Sequence, residues 1–320
     1  MKRKSLIYSL FLKGGVILFL FLIQFVLPTY HHSSFSKIMI LASYAIAYNF
    51  LLGYTGLMSL GHAMFFASGM YSAGLSILYL GFTPLEGIIF GTLFSLTMSL
   101  IFGLFALRTS GVSFLIVTLM FGQTLYLAIL YYNEFTFGQD GFSITNYLGS
   151  LVIFGKEHLY SNPTIRYNFA LIMLAVYLLI TTIIILSPIG RILIAIRENE
   201  ARTQLLGYNV FSYKLFALTF SGTLAGISGA MHALLFSYIG TTFAEIHHSI
   251  SPLLWTLLGG AGTVIGPLLG TGVMYYLIDF ISGITSNYLL VVGIILVLTI
   301  IWFPLGIMGT LRQRWIKWLP

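Results

Sequence analysis

The chain of 320 residues is 58% hydrophobic and 7% charged, whereas an ordinary soluble domain has about 25% charged residues. A soluble fold is excluded, because so much apolar surface could not be kept from water. The net charge of +7 is typical of basic cytoplasmic loops and not of a nucleic-acid interface, since no basic patch interleaved with aromatics is present. The absence of cysteine excludes disulfides and thiolate chemistry.

Long apolar runs predict an all-α, polytopic integral membrane helical bundle that forms a single domain, residues 1–320. A crossing helix needs about 20 apolar residues, and we expect eight to ten membrane segments. The candidate spans are 14–30, 35–53, 59–80, 85–107, 112–132, 167–187, 213–236, 264–283 and 287–303. The shorter stretch 248–262 is predicted either to cross with tilt or to enter and turn back.

Basic residues are distributed unequally between the predicted loops. The first four, Lys2, Arg3, Lys4 and Lys13, precede an apolar run without a signal-peptide cleavage site, so we expect this run to be retained as a membrane helix. With the N-terminus inside and 248–262 crossing, twelve basic residues face the cytoplasm and three face outward. Because cytoplasmic loops collect Lys and Arg, we predict that both termini are cytoplasmic.

The longest outward segment, residues 133–166, carries Glu134, Asp140 and Pro163 with a mildly apolar stretch at 147–154. We predict a loop with a short interfacial helix. It is interpreted either as a contact for an extracytoplasmic partner or as a solvated connection.

Two glycine-rich stretches, 53–62 and 259–267, interrupt the apolar pattern. Each precedes a helix with regularly spaced small residues, and glycine breaks helices and lets them approach closely. Interrupted helices are typical of a transport path, while plain helix packing is the alternative. Both interruptions fall on the cytoplasmic side of the predicted topology, which does not support an inverted repeat.

Polar and glycine residues on these apolar spans are the candidates for a translocation path, because burying polar groups without partners costs energy. They are Asn49, Tyr54, Thr55, Gly56, Ser59, Gly61, His62, Gln123, Gly259, Gly260, Gly262 and Thr263. Hydrogen bonding between helices is the alternative role for several of them.

Several chemistries have no support in the sequence. There is no phosphate-binding G-x-x-x-x-G-K-[ST] run, no metal-spaced cluster, and no acid–base constellation of an enzyme. We expect no cofactor and no metal. His62 and His232 lie toward the interior of spans and are interpreted as packing residues, and no carboxylate is placed for ion coupling. Two hypotheses follow: the chain conducts a solute passively, or another subunit supplies the energy for transport.

The segment 190–207 holds five charged side chains between long apolar runs: Arg191, Arg197, Glu198, Glu200 and Arg202. It predicts one short amphipathic helix ended by Gly207, with pairs Glu198–Arg202 and Arg197–Glu200 at helical spacing. We expect Ile192, Leu193, Ile196, Leu205 and Leu206 to pack against the bundle. The helix is interpreted either as a lever moved by a soluble partner or as a helix lying among lipid headgroups.

Four motifs resemble the permeases of ABC importers of the branched-chain amino acid type, in particular their LivM-like branch. The charged segment continues as GRILIAIRENEARTQLLGYNVFSYKLFALTFSGTLAGISGAMHA, which is similar to the family's cytoplasmic coupling segment. The run NFLLGYTGLMSLGHAMFFASGMYSAGL at 49–75 resembles its early signature. LLGGAGTVIGPLLG at 257–270 resembles its late signature, and FPLGI at 303–307 its C-terminal end.

The resemblance implies a non-catalytic subunit of the bacterial inner membrane, surrounded by membrane lipid. Its implied partners are cytoplasmic ABC ATPase subunits, a second permease subunit as a heterodimer, and an extracytoplasmic solute-binding protein, with no nucleic acid. Arg191, Arg197, Glu198, Glu200, Arg202 and Gly207 would then lie in or beside the helix that docks on the ATPase.

The cargo implied is a small polar solute, with branched-chain amino acids first. Where relatives often carry an acid before the late apolar run, this chain reads Ser-Ile-Ser-Pro at 249–252, and related permeases carry urea or short amides. The alternative hypothesis is a different class of protein, a passive channel for a small neutral solute.

Overall fold

The computed structural model describes residues 2–153, 156–159 and 162–314, and the fold is 80% helical. The all-α prediction is confirmed. The helices are α1 (Lys2–Ile23), α2 (Thr29–Thr55), α3 (His62–Leu80), α4 (Pro84–Ala106), α5 (Val112–Tyr131), α6 (Asn133–Thr136), α7 (Pro163–Leu186), α8 (Pro188–Glu198), α9 (Glu200–Leu205), α10 (Val210–Phe236), α11 (Ile246–Gly259), α12 (Gly266–Ser282), α13 (Tyr288–Trp302) and α14 (Gly306–Arg314).

Six helices of the described chain are long and apolar enough to cross a membrane: α2, α3, α4, α5, α7 and α10. Two shorter apolar helical stretches, Phe11–Ile23 and Tyr288–Thr299, accompany them. These helices make the chain a multi-pass membrane protein. The exact number of crossings stays a prediction.

Short strands occur only in the connections of the described chain. β1 (Phe142–Ser143) pairs antiparallel with β4 (Tyr238–Ile239), and β2 (Ser150–Ile153) pairs with β3 (Lys156–Leu159). Part of the stretch expected as an interfacial helix is therefore strand β2, whose Val152 and Ile153 are β-branched and favour extended backbone. The helix of this segment is α6.

Helix α2 lies at the centre of the bundle, with α7, α10, α11 and α12 packed around it. Its aromatic side chains Tyr44, Tyr48 and Phe50 are fully buried. Helices α4, α5 and α13 instead expose many large apolar side chains, as expected for surfaces that face lipid.

Glycines allow the closest helix contacts, as predicted. A Cβ added at Gly69 of α3 would lie 2.1 Å from the carbonyl oxygen of Gly226 in α10, and one at Gly270 of α12 would lie 1.9 Å from that of Trp255. Gly272, also expected at such a contact, has only a methyl carbon of Ile38 at 4.0 Å. Small residues therefore set the spacing of these helices.

Helix α3 begins in the middle of the bundle. Gly56, in the left-handed conformation, ends α2, and an irregular stretch leads to His62, whose Nε2 lies 2.8 Å from the hydroxyl of Ser221. Ser221 is eleven residues after the start of α10 at Val210. At 1.5 Å per helical residue, α3 begins about 16 Å along α10.

Helix α11 begins at the same level. The hydroxyl of Ser249 accepts a 2.8 Å hydrogen bond from the backbone N–H of Ala63. From this meeting point α3 runs antiparallel to α2, and α11 runs parallel to α2 as far as Gly262, which contacts Asn49. The two helices start together and point in opposite directions.

The two predicted stretches lie at the same end of the bundle, as expected, since a Cβ added at Gly53 would lie 2.5 Å from the backbone nitrogen of Gly262. Only the second is corrected as a helix interruption. The irregular stretches before α3 and before α11 are 56–61 and 237–245, and they approach the meeting point from opposite ends of the bundle. The glycine-rich stretch 260–265 is instead the turn between α11 and α12. The glycines at 260–265 are there because the backbone makes a tight turn between two helices. They do not interrupt a helix.

Candidate functional site

The charged segment folds as two helices, so the prediction of one helix is wrong. Ser187 accepts a hydrogen bond from the N–H of Gly190 at the start of α8, and Pro188 occupies its first turn. Asn199 then adopts an extended conformation (φ −160°), and its side chain accepts from the N–H of Arg202, 2.9 Å away, to start α9. An Asn side chain offers the backbone this alternative to a continuous helix.

The break at Asn199 also changes which apolar side chains are buried. Leu193 and Ile196 of α8 are buried against the bundle, as predicted. Leu205 and Leu206 are 88% and 70% exposed, so their predicted packing is wrong. The segment therefore presents an apolar tip formed by Leu205 and Leu206.

The predicted ion pairs within this segment are not formed among the described residues. Since the extended residue Asn199 separates α8 from α9, Glu198 and Arg202 no longer share one helical face. Glu200 instead pairs with Lys214 at the start of α10, with Nζ and Oε1 2.6 Å apart. Arg191, Glu198 and Arg202 are exposed, and Gly207 (φ +88°) follows α9 in a left-handed conformation.

Arg197 connects this external segment to the interior. Its guanidinium Nη1 donates a hydrogen bond to the carbonyl oxygen of Gly53 in α2. A Cβ added at Gly56 would lie 3.1 Å from Arg197 Cγ, and one at Gly262 would lie 3.0 Å from its Nη1. The side chain of Arg197 thus lies between both glycine-rich stretches.

Asn49 joins the same two stretches from within the bundle. Its Nδ2 donates to the carbonyl oxygen of Thr263, and its Oδ1 accepts from the N–H of Gly262, both over 2.9 Å. The Thr263 hydroxyl donates to the Gly260 carbonyl oxygen at 2.7 Å. We call Asn49, Gly53, Arg197, Gly262 and Thr263 the junction.

A cleft of about 570 Å³ opens beside the junction. Its lining includes Arg197, Gly262 and Thr263 together with Pro304 and Leu305. Three predicted path residues, Asn49, Gly262 and Thr263, are thus joined by hydrogen bonds beside this cleft, and their role in a path stays a prediction. Gly259 and Gly260 lie at the end of α11 in the same turn.

A second group of predicted path residues lies at the start of α3. The Ser59 carbonyl oxygen accepts from the Tyr48 hydroxyl at 2.9 Å, and Ser59 is buried. A Cβ on Gly61 would lie 2.1 Å from the Thr118 carbonyl oxygen, so only glycine fits there. His62 is fully buried beside them.

Of the remaining predicted path residues, Gly56 lies against the side chain of Arg197 in the junction. Thr55 is buried and donates to the carbonyl oxygen of Leu51 in its own helix, and Tyr54 is buried beside it. Gly56 is exposed and ends α2. Gln123 is half-buried on α5, apart from the junction.

Sequence reasoning missed Ser221, which holds the start of α3. Its hydroxyl donates to the Ala47 carbonyl oxygen at 2.5 Å and also meets His62. A lone serine in an apolar helix usually bonds to its own backbone, so the sequence carried no signal for this role.

Two helices begin inside the bundle, and a charged external segment contacts the central helix through Arg197. This arrangement is typical of membrane transport permeases. The sequence model of the family described as branched-chain amino acid transport system, permease component, matches residues 32–300. The chain belongs to this family.

Relatives of known function agree with this assignment. The chain is 28% identical over 305 residues to the high-affinity branched-chain amino acid transport system permease protein LivM of Salmonella typhimurium, covering 86% of this chain and 69% of the relative. LivM of Escherichia coli is 27% identical with the same coverage. The ribose import permease protein RbsC of Haemophilus influenzae is 30% identical over 120 residues, covering 35% of this chain and 37% of the relative. No solved structure matches the chain.

Proposed function

We propose that this chain is the permease subunit of an ABC importer that moves a small polar solute, with branched-chain amino acids first, across the bacterial inner membrane. ATP hydrolysis takes place in partner ATPase subunits, and this chain is not itself an enzyme. The two LivM relatives support this cargo, and the RbsC relative shows that similar chains serve other solutes. Urea or a short amide is the alternative cargo.

The observation that carries the proposal is the bond from Arg197 to Gly53. An interfacial helix lying among lipid headgroups has no need of a side chain that hydrogen-bonds to the backbone of the central helix. Arg197 instead connects an exposed helix to the backbone of the central helix α2, at the residue where the two glycine-rich stretches meet. A push on α8 is therefore passed to α2 and to the turn 260–265.

The apolar tip and the exposed charges provide the docking surface of this lever. Leu205 and Leu206 offer apolar area for a soluble partner, while Glu200 is tied to α10 through Lys214. Because α9 is joined both to α8 and to α10, movement of the ATPase is passed to two sides of the bundle. Residues 190–207 thus act as the cytoplasmic coupling segment of a single domain with both termini in the cytoplasm.

Affinity purification of the tagged protein in mild detergent tests the proposal. We expect a stoichiometric ATPase subunit, a second permease chain and, under gentle conditions, an extracytoplasmic binding protein. Scrambling residues 190–207 removes the ATPase while the permease stays inserted. Recovery of the chain alone, with solute flux in liposomes that is independent of nucleotide, contradicts the proposal and supports a passive channel.

A further inference from the structure

Five aromatic side chains meet near the starts of α3 and α11. We call five residues the ring cluster: Tyr44 of α2, Phe66 of α3, His232 of α10, Phe243 in the stretch before α11, and His248 of α11. The centroid of His248 lies 4.6 Å from that of Phe66 and 5.2 Å from that of Tyr44, stacked on the latter. The centroid of His232 lies 4.5 Å from that of Phe243.

Three ring nitrogens of the ring cluster are buried without a hydrogen-bond partner among the described residues. His232 is 3% exposed, and neither of its ring nitrogens is bonded. The Nε2 atom of His248 is also buried and unbonded. A buried polar group left without a partner is unfavourable, so such a group in a native fold requires an explanation.

The surroundings of these nitrogens favour a negative group. Helices α3 and α11 both begin here, as the bond between Ala63 and Ser249 shows, and a helix N-terminus carries partial positive charge. Lys37 adds a positive charge on α2, seven residues and therefore about two helical turns before Tyr44. Starts of interrupted helices commonly hold anionic cargo groups in transporters.

We propose that the ring cluster is the cargo site of this permease and that His232 and His248 donate hydrogen bonds to the carboxylate of the passing solute. This assignment rests on the proposed function, because it names the chemical group by which that importer recognises its cargo. Each neutral imidazole carries one N–H donor, and two such donors match the two oxygens of a carboxylate.

Glu245 narrows the cargo class further. It precedes α11, is half-buried and makes no capping bond to the helix. Its charge disfavours a simple anion at the helix start but attracts an ammonium group. An α-amino acid, which carries an ammonium and a carboxylate on the same carbon, therefore fits the surroundings of α11 better than a monocarboxylate or a neutral amide.

The ring cluster is closed in this conformation, since its ring centroids lie at contact distance. Cargo enters only after the rings separate. The junction supplies that movement, because α11 connects His248 directly to the turn around Gly262, which Asn49 and Arg197 contact. Displacement of α8 thus reaches the ring cluster through α11.

The direct test is ¹⁵N NMR of the histidine rings in the purified permease–ATPase complex, without the extracytoplasmic binding protein, which selects cargo on its own. Three probes of similar size are added: L-leucine, L-leucinamide and 4-methylpentanoate. His232→Phe and His248→Phe assign the signals among the seven histidines. His247→Phe is the matched control, because His247 is the exposed neighbour of His248 on α11.

L-leucine is expected to shift the ring nitrogens of His232 and His248, and the other two probes are expected to need concentrations at least roughly tenfold higher. In proteoliposomes, His232→Phe and His248→Phe lower ATP-driven L-leucine uptake by about tenfold or more, the factor expected for one lost hydrogen bond to a charged group. His247→Phe leaves uptake unchanged. His232→Gln, which keeps a donor, retains more uptake than His232→Phe.

Unshifted rings with L-leucine, equal shifts with L-leucinamide, or wild-type uptake by both Phe variants overturns the assignment. If ATP drives uptake of a neutral solute and that solute does not shift the ring nitrogens of His232 and His248, the carboxylate site is overturned but the proposed importer function is not. Conversely, ring shifts by L-leucine in a chain that recruits no ATPase support the site and overturn the proposed function.

Discussion

The guanidinium of Arg197 donates a hydrogen bond to the carbonyl oxygen of Gly53, so a side chain of the external helix α8 holds the backbone of the central helix α2. Arg197 also lies against Gly262 in the turn between α11 and α12. One residue therefore connects the surface where a soluble partner would dock to both glycine-rich stretches. This contact alone would pass a displacement of α8 to α2.

Replacing Arg197 with Gln is expected to lower ATP-driven uptake by about tenfold. A hydrogen bond to a charged group contributes about 1.5–3 kcal/mol, and 1.4 kcal/mol corresponds to a factor of ten. Uptake in proteoliposomes is the measurement, with co-purification of the ATPase showing that the complex still assembles. Arg108→Gln, at an exposed position after α4 and outside residues 190–207, is the control. Equal uptake by both variants contradicts a coupling role for Arg197.

Asn49→Leu is expected to destabilise the fold, because it leaves the carbonyl oxygen of Thr263 and the N–H of Gly262 without their partner. Each unpaired buried group costs about 1–3 kcal/mol. Asn49→Asp keeps the acceptor but places a carboxylate against the Thr263 oxygen, so it is destabilising too. Unfolding in a detergent titration measures the loss. Asn168→Leu, at a half-buried position whose amide bonds only to Thr164 of its own helix, should have little effect, and similar losses for both Leu variants contradict the junction.

Gly69→Ala is expected to disrupt the contact between α3 and α10. The added Cβ would lie 2.1 Å from the carbonyl oxygen of Gly226, and backbone at such a contact cannot yield as a flexible side chain does. We expect reduced expression of folded protein and loss of uptake. Gly293→Ala, with no heavy atom within 4 Å of the new Cβ, should be neutral or slightly stabilising. Size-exclusion chromatography measures the amount of folded protein for each variant. Equal amounts for Gly69→Ala and Gly293→Ala would contradict the close approach of α3 and α10.

Leu205→Ser combined with Leu206→Ser is expected to weaken docking of the ATPase without lowering the stability of the permease. Both side chains are exposed, so their removal costs the isolated chain little, whereas apolar burial contributes about 25 cal/mol per Å² at an interface. The amount of co-purified ATPase is the readout. Gln204→Ser, on the same short helix, is the control. Full ATPase recovery with the double variant shows that the partner docks elsewhere.

The helical fold and the broad place of the site could be predicted from the sequence, and their internal geometry could not. Apolar length marks a membrane helix, and Asn49, Gly262 and Thr263 stand out as polar or flexible positions within apolar runs. The break at Asn199 could not be foreseen, because its capping bond competes with a continuous helix by a small energy difference. That choice decided the exposure of Leu205 and Leu206.

Contacts between residues far apart in the sequence were the other feature that could not be predicted. The sequence separates Asn49 from Thr263 by more than 200 positions, and nothing local indicates that they bond. Likewise, His232 carries the pattern of a packing residue on an apolar helix, and only its neighbours in space show that its ring nitrogens lack partners.

Uptake of labelled L-leucine into proteoliposomes that hold the complete purified complex tests the central claim most directly. We predict uptake that requires ATP on the side of the ATPase subunits, that is absent with the permease chain alone, and that falls about tenfold with Arg197→Gln. Uptake by the chain alone, without nucleotide and unchanged by Arg197→Gln, would contradict the account.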